Sequence, residues 1–175
     1  PVVRTAAVAK LEGLAPNVSK GDLVPMLQDP IRAVRTEAAR LLSRLPSHAL
    51  TVTEKTAFRP VLAELQARYH ANSDRPESNL SLGILAENQG DPRAAEKHYR
   101  DAIDRESTFV PARMNLATLL SRQGRNPEAE KLLREATKLE PSWGQAYYSL
   151  GLLIAENPAR LQEAADALRK ATLLD

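Results

Sequence analysis

From residue 76 onward, apolar and small side chains return at the spacing of helix faces, and the whole pattern then repeats. Leu82-Gly83, Gly90, Ala95, Tyr99 and Ala102 are followed by Leu116-Ala117, Gly124, Ala129, Leu133 and Ala136, then by Leu150-Gly151, Ala164, Leu168 and Ala171. The first two copies lie 34 residues apart. The third carries one extra residue, since Leu82 to Leu150 spans 68 positions and Ala95 to Ala164 spans 69. Each copy predicts two amphipathic helices. A fixed period of this length predicts a stacked array in which each pair buries its apolar face only against its neighbours.

Two helices that cross closely need small residues where their backbones meet. Gly83, Ala117 and Gly151 supply that notch on the first helix of each copy, and Ala95, Ala129 and Ala164 supply it on the second. The reversal between the helices is also encoded. Gly90-Asp91-Pro92 and Gly124-Arg125-Asn126-Pro127 each place a C-terminal glycine before an Asp or Asn cap and a proline opening the next helix. The third copy has Asn157-Pro158 and no glycine, so its turn is expected to differ. Ser107 or Thr108 and Ser142 stand where they would cap helix starts.

Upstream, Val3-Arg4-Thr5-Ala6-Ala7 with Leu11 and Leu14 matches Val34-Arg35-Thr36-Glu37-Ala38 with Leu42 and Leu45 at an offset of 31. Leu23, Met26 and Leu27 predict a short helix ended by Asp29-Pro30, the aspartate capping and the proline opening the next helix. Phe58, Val61, Leu62, Leu65 and Tyr69 predict one amphipathic helix over about 54–70, with Thr53 as its cap and Glu54 in its first turn. Pro60 inside that span predicts a kink or a later start near Arg59. Residues 70–76 read as a turn-rich linker. The 54–70 helix is expected to pack on the first helix of the repeats, giving one continuous solenoid.

The 76–175 pattern, with Gly83, Ala95, Tyr99 and Ala102 all in place in its first copy, resembles the tetratricopeptide repeat family. Departures are local: the aromatic usual early in the first helix is Asn79 in copy one and Arg113 in copy two, with Tyr147 keeping it in copy three. The 1–46 pattern resembles HEAT-type repeats, where Asp29 and Arg35 would have a structural role in a ladder between neighbouring repeats. Together the resemblances imply an all-α fold, a right-handed superhelical solenoid of antiparallel helix pairs. Its parts would be HEAT-like repeats at 1–46, a connecting helix and linker at 47–75, and three tetratricopeptide repeats at 76–109, 110–143 and 144–175. Pro1 falls inside a helical pattern and no solvating cap helix follows the third copy, so a fragment of a longer protein is expected.

Composition sharpens this picture without redirecting it. In 175 residues, apolar content is 43% and aromatic content 4%, the balance of an alanine- and leucine-rich helical array. No run approaches the roughly 20 apolar residues of a membrane span. The absence of cysteine removes disulfides and thiolate chemistry. Basic residues outnumber acidic ones by 7 to 4 over 1–50 and fall behind, 13 to 15, over 76–175. That distribution does not favour nucleic acid, although Arg4, Arg32, Arg35 and Arg40 keep a backbone-binding role in view. His48, His70 and His98 lie on different elements without metal-ligand spacing, no nucleophile is paired with a base, and no Gly-rich phosphate loop is present. The sequence therefore predicts no catalysis, no cofactor and no small-molecule substrate.

What the resemblance implies instead is a binding wall on the first helix of each copy. By period, its residues are Leu80, Ile84 and Glu87 or Asn88, then Met114, Thr118 and Ser121 or Arg122, then Tyr148 and Leu152 with Glu156 at the edge, and Asn115 joins them from the family's ligand-binding positions. Gly83, Ala95, Tyr99, Ala102, Ala117, Ala129, Ala136, Gly151, Ala164 and Ala171 have the structural roles. The expected partner is a protein or peptide segment lying on the concave face, unless the 54–70 helix or neighbouring repeats already cover Leu80 and Ile84. The family's carboxylate clamp for chaperone tails does not carry over: only Asn115 agrees, the other places being Leu80, Ile84, Gln145 and Ser149. A second reading is an architectural C-terminal extension of a bacterial protein of the multihaem cytochrome kind, with any haem outside this chain. The compartment is then cytoplasmic for a stand-alone protein and periplasmic for an attachment to an exported cytochrome. End-to-end self-association remains a further outcome, because a terminal helix exposes its stacking face.

Overall fold

A computed structural model describes residues 20–174. The expectations for Val3 to Leu14, including Arg4, and for Asp175 lie outside the described residues. Among the described residues the protein is all-helical. The α-helices are α1 (Lys20–Leu23), α2 (Arg32–Leu42), α3 (Val52–His70), α4 (Pro76–Asn88), α5 (Pro92–Arg105), α6 (Val110–Arg122), α7 (Asn126–Leu139), α8 (Gly144–Ala155) and α9 (Leu161–Leu174). Helices α4/α5, α6/α7 and α8/α9 form the three pairs of the repeat, each packed on the next, and α3 packs on α4.

Side-chain size sets how closely each pair approaches. A β-carbon built on Gly83 would lie 2.3 Å from Tyr99 Cε1, and one built on Gly151 would lie 2.7 Å from Leu168 Cγ and 3.2 Å from the Ala164 carbonyl oxygen. Ala95, Ala102, Ala129 and Ala136 are wholly buried. The resulting core runs through all three pairs, from Ala86 and Tyr99 past Leu116 and Leu133 to Ile154 and Ala164. A second core, with Leu27, Val34, Ala38, Leu42 and Val61, lies between α2 and the first half of α3.

The turns follow from backbone chemistry. Gly90 and Gly124 both take φ +76°, the left-handed conformation that ends a helix. The Gly90 and Asp91 N–H groups donate to the Glu87 and Ala86 carbonyls, and those of Gly124 and Arg125 donate to the Ser121 and Leu120 carbonyls, all at 2.9 Å. These are paired Schellman closures that satisfy the last carbonyls of α4 and α6. Asp91 caps α5 as expected, its carboxylate accepting from the Ala94 N–H at 3.0 Å. Asn126 does not cap. It is already the first residue of α7, and Pro127 is the second. The third turn does differ: Asn157 Oδ1 accepts from the Ala159 N–H and a 3-10 turn, Pro158–Arg160, leads into α9.

Several expected boundaries move. The α3 cap is Thr51, not Thr53: its hydroxyl accepts from the Glu54 N–H while the Glu54 carboxylate accepts from the Thr51 N–H, a complete capping box. The helix then runs unbroken through Pro60, which sits on its exposed side. The segment around Leu23 and Leu27 is a four-residue α-helix followed by a 3-10 turn, Pro25–Gln28. Asp29 accepts from the Ile31 N–H at 2.8 Å, closing a turn, and α2 opens only at Arg32. The residues before α6 and α8 are Phe109 and Trp143, neither with a side-chain cap bond, so Ser107, Thr108 and Ser142 are not the caps.

Neighbouring second helices are joined by two closed charge quartets. Arg125, immediately before α7, reaches Glu96 of α5 and Glu128 in the first turn of α7, each at 2.7 Å, while Arg100 reaches Glu96 at 2.7 Å and Glu128 at 3.6 Å. One repeat later Arg160 reaches Glu130 at 2.7 Å and Glu163 at 2.9 Å, and Arg134 reaches both Glu130 and Glu163. Each arginine thus touches both carboxylates of its quartet. Closed networks of this kind contribute more than isolated surface pairs, whose typical worth is about 0–1 kcal/mol. Hydrogen bonds from Arg160, joined by those from Arg134, hold the Glu130 carboxyl down to about 2. The first helices, by contrast, approach directly at α4 and α6.

Gly83→Ala is expected to lower stability by about 1–3 kcal/mol through the clash with Tyr99, whereas Gly90→Ala, which meets no neighbouring atom, costs only the left-handed backbone penalty of about 1–2 kcal/mol. Urea titration of both variants checks the ranking. The Glu130 carboxyl is more acidic folded than unfolded, so its contribution is present above about pH 4.3 and is lost as pH falls toward 2. Glu130→Gln should therefore melt lower than the parent at pH 6, with the gap closing by pH 2; a gap independent of pH contradicts the pairing.

Candidate functional site

Corresponding positions in the three copies separate the side chains that build the stack from those that face outward. Leu80, Met114 and Tyr148 occupy one such position. Leu80 packs against the core, Met114 is 8% exposed within the same core as Ala146 and Leu150, and Tyr148 is 46% exposed. Met114 is therefore a stacking residue and not part of an open wall. It corrects the expectation from periodicity, which places a residue on a face without saying whether the next pair covers that face.

The position one turn later behaves differently. Ile84 is 38% exposed, Thr118 is exposed and Leu152 is 48% exposed, so this position is open in every copy. It is flanked by half-buried Ser81, Asn115 and Ser149. Between α6 and α8 the wall opens into a hollow of about 230 Å³, floored by Ala117, Leu133 and Leu153 and edged by Ser121, Arg122 and Glu156. The inner surface thus offers two aliphatic contacts, a row of hydroxyls and amides between them, and one charge of each sign at the far edge.

The charged end of the wall is held in place from behind. Arg122 of α6 pairs with Glu87 of α4, and Glu87 also accepts from the Tyr99 hydroxyl. Burial first, then the Glu87 carboxylate, pushes the Tyr99 phenol well above its ordinary range, so it stays a donor. Asn115 lies beside the same hydroxyl. Glu156 accepts from Asn126 Nδ2. Asn88 is drawn away from the wall, donating to Ser43 Oγ at 3.2 Å, and Ile84 faces a small cleft shared with Arg40, Ser43, Arg44 and Tyr69. The preceding helices therefore cover the wall in part at α4 and leave it open at α6 and α8.

The aromatic-to-polar departures have structural uses. Asn79 is buried and donates to the Ser73 carbonyl at 2.8 Å, tying down the linker. Arg113 is buried with Nε 3.4 Å from Glu135. Tyr147 donates to the Thr137 carbonyl at 3.2 Å and lies under Lys170, 4.3 Å from its ring centre.

Outside the wall, two expectations change. His70 and His98, on separate elements in the sequence, come together with ring centres 5.9 Å apart beside Asp101 and Asp104. Burial is the main cause that lowers the His98 pKa. Among the described residues no group of three or more His, Asp or Glu side chains is arranged to hold a metal ion. The arginines considered for phosphate contacts are engaged: Arg32 and Arg35 with Glu64 at 2.8 and 2.7 Å, and Arg40 with Glu37 at 2.6 Å. Arg35 also donates to the Asp29 and Pro30 carbonyls, so it ties α2 to α3 and to the preceding turn. Among the described residues no helix is long and apolar enough to cross a membrane.

Residues 88–154 match the sequence profile of the tetratricopeptide repeat family. None of the curated proteins matches the sequence. Similar solved structures include MamA, at 18% identity and TM-score 0.60, covering 89% of this chain and 90% of that one. A second MamA structure has 18% identity and TM-score 0.55, covering 98% and 91%. YrrB, described as a TPR protein with an unusual peptide-binding site, has 17% identity and TM-score 0.54, covering 98% and 84%. At these identities the likeness is one of fold, and that fold is the helical solenoid.

Proposed function

We propose that the protein is a non-catalytic scaffold whose three tetratricopeptide repeats, at 76–109, 110–143 and 144–175, bind a protein segment along the inner wall. The observation that carries this reading is the position shared by Ile84, Thr118 and Leu152, open in all three copies while its neighbours are buried. Exposed aliphatic residues such as Ile84 and Leu152 have no use in stacking, and with Thr118 between them the three positions on successive first helices match the spacing of contacts along an extended chain or one helix face. Ser121 and Ser149 supply hydrogen bonds to a peptide backbone, and Arg122 and Glu156 select charge at one end. The peptide site of YrrB, on the same fold, supports a peptide as the occupant. Leu80 and Met114 hold the wall from behind, and Tyr148 extends it at the last pair.

A peptide selected on the intact chain from a displayed library is expected to lose about tenfold or more in affinity with Leu152→Glu, at unchanged helical circular dichroism. Retained affinity would count against the wall. Met114→Glu is the contrasting variant: a charge buried without a partner should lower stability by about 3 kcal/mol or more.

A further inference from the structure

The geometry points to a second binding site, separate from the inner wall, that holds the C-terminal apolar residue and free carboxylate of a peptide. It is a cavity of about 350 Å³ where α2, α3 and the end of α4 meet. That volume is at the small end of ligand sites, about 300–1,000 Å³, and suits one or two side chains. Its floor is aliphatic and aromatic: Leu42 and Leu50 are buried beneath it, and Phe58 and Leu62 of α3 line its side half-buried.

Charge identifies the ligand. Lys55 and Arg59 stand one helical turn apart on α3 at the rim, and no acidic residue lines the cavity. Like charges at this spacing repel and destabilise a helix. In the same segment Lys20 pairs with Glu54, Arg32 and Arg35 pair with Glu64, and Arg40 pairs with Glu37. Lys55 and Arg59 have no carboxylate within ion-pair distance among the described residues. An anion seated between them relieves the repulsion and gains charge-assisted hydrogen bonds from both.

The opposite rim distinguishes a peptide from a fatty acid. Asn88 and Gln89 close the cavity from the end of α4. Because Asn88 spends its Nδ2 group on Ser43, its Oδ1 is left to accept from a ligand N–H, and the Gln89 amide is exposed. A peptide's last amide groups use these partners, while a hydrocarbon chain would leave them idle beside it. The arrangement therefore reads a carboxylate on one side, a backbone on the other and an apolar side chain below.

Calorimetry on the full chain tests this with acetyl-Ser-Ala-Leu-Leu bearing a free C-terminal carboxylate, the same peptide amidated, and dodecanoate. The free acid is expected to bind, and amidation or the Lys55→Gln/Arg59→Gln double variant should each weaken it about tenfold or more. Arg59 is exposed and Lys55 half-buried without an ion-pair partner, so circular dichroism of the double variant should match the parent. Leu152→Glu should leave this binding unchanged, which keeps the result independent of the inner wall. Equal affinity for acid and amide, no effect of the double variant, or binding of dodecanoate without binding of the peptide would overturn the assignment.

Discussion

The structure depends on how closely two helices of a pair can approach. At Gly83 and Gly151 there is no room for even a methyl group against Tyr99 and Leu168, and the alanines facing them are buried. Close-packed interiors transmit such constraints without slack. Once each pair is fixed, its remaining apolar surface can be buried only by the next pair, so the array propagates. The glycine-closed turns at Gly90 and Gly124 then set the entry of each second helix.

That packing decides what is left for binding. Stacking consumes the Met114 position and spares the Thr118 position one turn later, so the inner wall consists of the side chains that stacking does not use. The quartets of Glu96, Arg100, Arg125 and Glu128, and of Glu130, Arg134, Arg160 and Glu163, join successive second helices through charge. The hollow between α6 and α8 lies on the side of the stack away from these quartets' second helices. Function and fold are therefore two uses of one set of helix faces.

Much of this was legible in the residues. The notch glycines and alanines, the Gly90 and Gly124 closures, the Asp91 cap, the altered Asn157 turn and the packing of the 54–70 region on the first repeat helix all follow from local chemistry and period. The inner wall was legible only in part. Periodicity placed Met114 beside Thr118 but could not see that the third pair packs over one and not the other. Comparison of Leu80, Met114 and Tyr148 across the copies resolves this only when burial is known. The quartets have a sequence signal that composition and segment charge overlook: a Glu and an Arg four apart, answered by an Arg and a Glu three apart, twice at the repeat interval. The meeting of His70 with His98, and of Lys55 and Arg59 with Asn88 and Gln89, joins elements distant in the chain and has no local signal.

The central claim is that stacking leaves one row of inner positions free to meet another molecule. Backbone amide NMR during titration with a library-selected peptide tests it most directly. The account predicts shift changes concentrated on α6 and α8 around Thr118, Ser121, Ser149 and Leu152, with the outer faces of α5, α7 and α9 unchanged. Changes confined to those outer faces would contradict it.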